Sequence, residues 1–380
     1  MDQLAGSSRL LREINETAAL RHLLERGPLT RGDLRELTGL AKPTTSDVMR
    51  RLQEAGLATV VGRTSGGPGP NADIYAVNPD AAYAAAVSLR PAGLVTAVCD
   101  LAGQVRARTE SAVDFEHTDP VQAVRDAVAA ACRQARIGVR RLDHVQLGVP
   151  GSVHERAGVI RYVDVPGWSR PGLIDEIRAK LRTEVGVDND VNLAAVAERT
   201  RGIAGAAESF ALLWLGEEGL GLAIDLGGTL LRGARGGAGE IGYMPVGLPE
   251  RAAVHDYHDL VSGTAIRELA HHHGIDAATG HEAVARAKEH PGFLAEVAVR
   301  IAVGLAAVVA VLDPPLVVLA GEVGQAGGTP LEEAVGAALH DLSVLDTAVA
   351  ATGLTEDAVL QGGLDTTLAA VRGALLGRRP

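Results

Sequence analysis

Apolar positions recur at helical spacing from Leu10 through Ile14 and Ala18 to the run Leu20 to Leu24, and Gly27-Pro28 ends that helix. Thr30-Arg-Gly-Asp33 has the form of a helix-opening cap, followed by Leu34 and Leu37 on one face, and Gly39 makes a turn. Pro43 fits the first turn of a third helix, on which Val48, Leu52 and Ala55 share a face before Gly56 closes it. Leu57 to Val61 reads as a strand, 62–72 as a Gly/Pro-rich loop and Ile74 to Val77 as a returning strand.

Three short helices and a hairpin are the layout of a winged helix-turn-helix, whose third helix can enter a DNA major groove. The candidate DNA contacts are Lys42, Thr44, Thr45, Ser46, Arg50 and Arg51 on that helix, with Arg63 in the wing Gly62 to Asn71. Hydroxyls and arginines bond base edges or phosphates, and Asp47 is placed to accept from a cytosine amino group. A three-helix oligomerisation or protein-docking module has the same pattern.

After Asn78-Pro79-Asp80 the pattern changes to alternating strands and helices, which sets a boundary between residues 1–79 and 80–380. Strands are expected at 84–89, 94–99, 145–149, 210–215 and 316–319. Helices are expected at 119–136, 171–182, 190–200, 262–272, 280–289, 292–312, near 330–341 and at 366–377. This is an α/β arrangement, as one domain or two lobes, with a ligand expected in the cleft between them.

Composition narrows the reading. The chain has 380 residues, 47% of them hydrophobic and 22% charged, which suits globular domains and not a disordered polymer. Its net charge of −11 disfavours whole-molecule attraction to nucleic acid or anionic membrane. Residues 1–80, however, hold ten Lys/Arg against ten Asp/Glu, and the remainder 26 against 37, so the reading head is neutral. Two cysteines, Cys99 and Cys132, exclude a disulfide scaffold. The polar start of the chain and a longest apolar stretch of twelve residues, Ile301 to Leu312, lead to the expectation of a cytoplasmic protein without membrane partners.

Asp225-Leu-Gly-Gly-Thr229 looks like the phosphate turn of actin-like sugar kinases, but it stands far from the lobe's first two strands and reads as a tight hairpin turn. Three other motifs carry more: Gly148-Val-Pro-Gly-Ser152, Asp188-Asn-Asp-Val-Asn192 and Gly236-Gly-Ala-Gly-Glu-Ile-Gly-Tyr243. Together, and in this order, they resemble the ROK family of sugar kinases and sugar-responsive repressors, and residues 30–62 resemble the repressors' N-terminal module. The resemblance implies a winged helix-turn-helix joined to an α/β two-lobed, actin-like, sugar kinase-like domain.

By that resemblance Asp190 falls at the kinases' catalytic base, here vestigial, and Asn189 and Glu240 at sugar-contact positions. Gly151, Tyr243 and His258 complete the expected effector site. Asp188-Asn-Asp is equally well suited to capping a helix. The departures from the kinase pattern point away from phosphoryl transfer. The first phosphate turn is replaced by Ser88-Leu-Arg-Pro-Ala-Gly93, and the second reads Gly216-Glu217-Glu218-Gly219, placing two carboxylates where phosphates would lie. The adenosine-side glycines are Ala320-Gly321-Glu322. The family's cysteine zinc knuckle is missing, and Tyr243 replaces its histidine ligand, so no metal or cofactor is expected. His255-Asp-Tyr-His258 has a spacing common on solvated helices.

The expectation is a transcriptional regulator, a repressor more than an activator, binding a double-stranded operator as a homodimer or dimer of dimers. Its kinase-like cleft would take a sugar, a modified sugar or another small polar molecule. An active sugar kinase and a ligand-independent DNA-binding or interaction protein are the alternatives.

Overall fold

The computed structural model describes residues 2–64, 71–154, 157–217, 219–246, 256–355 and 357–377. The first unit contains α1 (Asp2–Arg26), β1 (Leu29–Thr30), α2 (Arg31–Thr38), α3 (Lys42–Glu54), β2 (Ala58–Arg63) and β3 (Asp73–Val77). Its three strands pair antiparallel in the order β1-β3-β2. Thr30 Oγ1 accepts from the Asp33 N–H while the Asp33 carboxylate accepts from the Thr30 N–H at 2.8 Å, a reciprocal cap that fixes the start of α2. Gly39 ends it in the left-handed conformation, φ 70°.

The core face of α3 consists of Thr45, Val48, Met49 and Leu52. This corrects two expectations, since Ala55 is exposed and Thr45 is 2% exposed with its hydroxyl donating to the Ala41 carbonyl. Thr45 therefore cannot read a base. Residues 65–70 of the expected wing lie outside the described residues.

The first lobe runs β4 (Tyr83–Arg90), β5 (Gly93–Asp100), β6 (Val105–Ala112), α4 (Pro120–Gln134), β7 (Leu142–Val149), β8 (Ser152–His154), β9 (Val159–Arg161), α5 (Leu173–Leu181), β10 (Glu184–Asn189) and α6 (Asp190–Arg201). The second follows with β11 (Phe210–Leu215), β12 (Leu220–Leu226), β13 (Thr229–Leu230), α7 (His258–Val261), α8 (Gly263–His272), α9 (Gly280–Ala285), α10 (Pro291–Leu312), β14 (Leu316–Ala320), α11 (Gly321–Leu342) and β15 (Ala348–Ala351). α12 (Ala358–Gly377) then returns to the first lobe.

The two five-stranded sheets have orders β10-β7-β4-β5-β6 and β13-β12-β11-β14-β15. Each is an antiparallel meander of three strands extended by two parallel strands, so the lobes repeat one topology.

Side-chain alternation along β4 divides the first lobe's interior. Tyr83, Ala85, Val87 and Leu89 face a core with Val124 and Val128 of α4. Ala84 and Ala86, with Ala97 and Cys99 of β5, face Leu360, Leu364 and Val371 of α12. This second core is continuous with Leu20, Leu23, Leu34 and Leu52 of the winged helix, and Leu375 and Leu376 pack against it. The small residues on β4 and β5 let α12 lie close to the sheet. α12 also crosses α6 at Gly362, where an added Cβ would stand 1.7 Å from the Leu193 carbonyl oxygen.

In the second lobe Phe293, Val297, Ile301 and Leu305 of α10 pack into the core, and Tyr257 sits against Gly304. α10 is long and apolar enough to cross a membrane, but this face is part of the lobe's interior. Residues 225–229 make the β12–β13 turn, with Gly227 and Gly228 at φ 60° and 81°.

Candidate effector cleft and DNA-facing helix

Between the lobes lies a cleft of about 980 Å³ whose walls include Gly151, Asn189, Asp190, Glu240, Tyr243 and His258. These residues come from the loop after β7, the β10–α6 junction, the loop after β13 and the start of α7. Asn189 caps α6, its Oδ1 accepting from the Asn192 N–H at 3.1 Å, while its Nδ2 donates to the Gly151 carbonyl at 3.0 Å. Capping and cleft position thus coincide in one side chain. Gly151 has φ 108°, and a Cβ there would fall 2.4 Å from the Arg161 carbonyl oxygen.

Asp188 is buried and accepts from the Asn192 amide at 3.0 Å and from Arg232 Nη2 at 2.6 Å. Arg232 follows β13, so this ion pair ties the lobes together. Asp190 begins α6 and accepts from the Val191 N–H at 2.8 Å. Burial pushes its carboxyl up to about 7, and the negative charges of Glu240 and Glu322 add to that effect. Burial also raises the Glu240 carboxyl. Two recessed carboxyl groups raised from their ordinary values are suited to hydrogen-bonding hydroxyls, accepting when ionised and donating when protonated.

Sequence reasoning missed several cleft residues. Tyr162 and Asp164 line it although neither stands in a motif that marks it, and Arg90 and Glu322 line it from segments read only as departures from a nucleotide site. Tyr162 and Tyr243 stack at 5.6 Å between ring centroids, tilted by 50°. The signal available for Tyr162 was compositional: the chain has only five tyrosines, three phenylalanines and two tryptophans.

At the far end of the cleft, β4 and β5 join through the two-residue turn Pro91-Ala92, and Arg90 pairs with Asp357 at 2.5 Å. Glu217 differs from the expectation that it would project toward a phosphate. Its carboxylate turns to the start of α9, accepting from the Gly280 N–H at 3.1 Å and the His281 N–H at 2.5 Å. Burial pushes this carboxyl up, but those donors and the His281 ring outweigh it and hold it below the usual range. Glu322 is the carboxylate that approaches the second turn, with Oε2 3.1 Å from where a Cβ on Gly216 would be. Glu218 and His255 lie outside the described residues.

No group of three or more His, Cys, Asp or Glu among the described residues is arranged to hold a metal ion. Cys99 and Cys132 are buried in the first lobe, on β5 and α4, so the donor set does not fit a zinc knuckle near Tyr243.

On α3, the candidate DNA-contacting helix, Lys42 is exposed, Thr44 and Ser46 are half-buried, and no side chain caps the N-terminus. That end is open to phosphate. The arginines are engaged within the domain. Arg50 pairs with Asp47 and with Glu54 at 2.7 Å, and Arg51 with Asp47 at 2.9 Å and Glu16 at 3.8 Å. Arg63 pairs with Asp73 at 2.9 Å. Asp47, read as an acceptor for cytosine, is instead the shared anchor of two arginines. Exposed pairs of this kind are weak in water, so phosphates can compete for the guanidinium groups.

The sequence profile of the ROK family matches residues 92–367, and that of the MarR family matches residues 13–67. The xylose repressor of Caldicellulosiruptor bescii is 22% identical over 86% of this chain and 88% of its own length. Among solved structures, a ROK family transcriptional regulator described as a homolog of the E. coli MLC protein superposes with a TM-score of 0.74. The match covers 97% of this chain and 99% of that one at 18% identity. The ROK hexokinase of Thermus thermophilus gives a TM-score of 0.63 at 25% identity, covering 76% of this chain and 99% of its own.

Proposed function

This chain belongs to the ROK family, and we propose that it is a sugar-responsive repressor whose operator affinity is set by a small molecule in the interlobe cleft. The chain is a DNA-binding transcriptional regulator, with a MarR-type winged helix preceding the ROK domain. One observation carries the effector reading. The winged helix, the first sheet and α12 share a single core, and Ala358 and Val359 at the start of α12 line the cleft. A ligand that favours one lobe arrangement acts on an element packed, at its other end, against the reading head. It changes operator affinity only as far as it binds the two arrangements differently.

The repressor acts in the cytoplasm as a homodimer or dimer of dimers, each dimer placing two α3 helices on half-sites about 34–36 Å apart or a multiple of that. Asn189, Asp190 and Glu240 hold effector hydroxyls. Phosphoryl transfer is not part of this role, because Pro91 removes a backbone donor at the first turn, Arg90 is tied to Asp357, and Glu322 places negative charge beside Gly216. A coupled ADP assay over a hexose and amino-sugar panel is expected to show no ATP consumption.

The deciding experiment is a gel-shift of the full chain with its own upstream DNA and neighbouring promoters, with and without sugars. Specific retardation relieved by one sugar is expected. No specific retardation with any fragment overturns the regulator reading, and retardation indifferent to every metabolite overturns the effector reading.

A further inference from the structure

The ten aromatic residues of this chain are distributed unequally. Eight are buried or half-buried, and Tyr162 and Tyr243, 60% and 64% exposed, are the only two exposed among the described residues. They come from different lobes, 81 positions apart in sequence, and meet ring against ring at the cleft. Tyr162 holds this position with φ 56°, a left-handed conformation that is uncommon for a bulky side chain and is found where surrounding structure enforces it. Gly151 is part of that enforcement, since any Cβ there would collide with the carbonyl oxygens of Arg161 and Tyr162.

Glu240 links this aromatic pair to the recessed end of the cleft, because its charge acts on both Asp190 and Tyr243. Asp164 and Asp256 also surround Tyr243. Among the described residues, the guanidinium groups that reach the cleft are those of Arg90 and Arg108, which are paired with Asp357 and Glu110. A phosphorylated or acidic sugar would meet the carboxylates of Asp164, Asp190, Glu240 and Glu322, and would have to displace a carboxylate to reach either arginine.

We propose that the effector is an uncharged oligosaccharide of two or more units. One sugar ring is held by Asn189, Asp190 and Glu240, and the next lies with its apolar C–H face against the Tyr162–Tyr243 pair. This deepens the effector reading above and rests on it. The cleft volume, near the upper end of the roughly 300–1,000 Å³ usual for small-molecule sites, accommodates such a ligand. Tyrosine suits the task because its ring is apolar and its hydroxyl stays wet.

The test is calorimetric titration of the full chain with cellobiose, maltose, lactose, xylobiose and diacetylchitobiose. Their constituent monosaccharides and glucose 6-phosphate are titrated in parallel. One disaccharide is expected to bind at least about tenfold more tightly than its monosaccharides, equivalent to about 1.4 kcal/mol. Tyr162→Ala and Tyr243→Ala should each abolish that advantage, whereas Tyr243→Phe keeps it, and all three should retain the parent's circular dichroism. Monosaccharide binding as tight as the disaccharide's, an advantage indifferent to both alanine variants, or tighter binding of glucose 6-phosphate overturns the inference but leaves a sugar effector standing. Binding of no sugar in the panel overturns both.

Discussion

Arg51 donates through Nε to the Asp47 carboxylate at 2.9 Å, across one turn of α3, and the same carboxylate also holds Arg50. The hydrogen bond from Arg50, more than any other influence, draws the Asp47 carboxyl below its usual range. DNA approaching this face of α3 would therefore have to compete with an internal anion for both arginines.

Removing that anion should expose the competition. Asp47→Asn is expected to raise affinity for non-specific duplex by about threefold or more at moderate salt and to steepen the dependence on salt concentration. Fluorescence anisotropy over a salt series measures both quantities, and an unchanged slope would mean that neither arginine reaches phosphate.

Arg50→Ala should act in the opposite direction, weakening operator binding and lowering the salt slope by about one unit if the guanidinium neutralises a phosphate. Thr45→Val supplies the contrast. Its hydroxyl bonds only the Ala41 carbonyl inside the domain, so operator affinity should be unaltered at matched stability.

Asp190 makes stability depend on pH in a direction unusual for an acidic residue. Its folded value of about 7 lies above the ordinary 3.8, so the folded protein holds the proton more tightly than the unfolded chain. The favourable contribution is complete in acid and is lost as pH rises from about 4 to about 7. Asp190→Asn should therefore stabilise the protein more at pH 8 than at pH 5 while weakening effector binding. Urea denaturation at the two pH values tests this, and an equal effect at both would contradict it.

At Gly362 the backbone of α12 touches that of α6. Gly362→Ala should cost about 1–3 kcal/mol or more, because its methyl group meets a carbonyl oxygen and not a movable side chain. Gly373→Ala, on the same helix with open space around it, should be neutral or slightly stabilising. Thermal denaturation of both variants separates close approach from helix propensity.

Strands buried on both faces were legible, since β4, β5, β11 and β14 are short apolar runs. β6 was not, because Arg106, Arg108 and Glu110 alternate along an edge strand. β10 has only two valines and β15 is a four-residue run of small side chains, and their ladders are supplied by β7 and β14. α11 begins nine residues before its expected start because Gly328, at φ 48°, and Pro330 obscure its early turns. The Gly362-Gly363 pair similarly hides the beginning of α12, which its packing against α6 requires. In the cleft, motif residues were readable as motifs. Tyr162 was not, since only the folded chain brings it against Tyr243.

The continuous core shared by the winged helix, β4, β5 and α12 has a mechanical consequence. A reading head on a flexible tether can adjust to half-sites at varied spacing, whereas this one is an outgrowth of the lobe that carries it. In a two-fold assembly the lobes would act as a ruler. An operator lengthened by half a helical turn should lose specific binding altogether, and a fragment cut at residue 79 would lose the packing of α1 against α12.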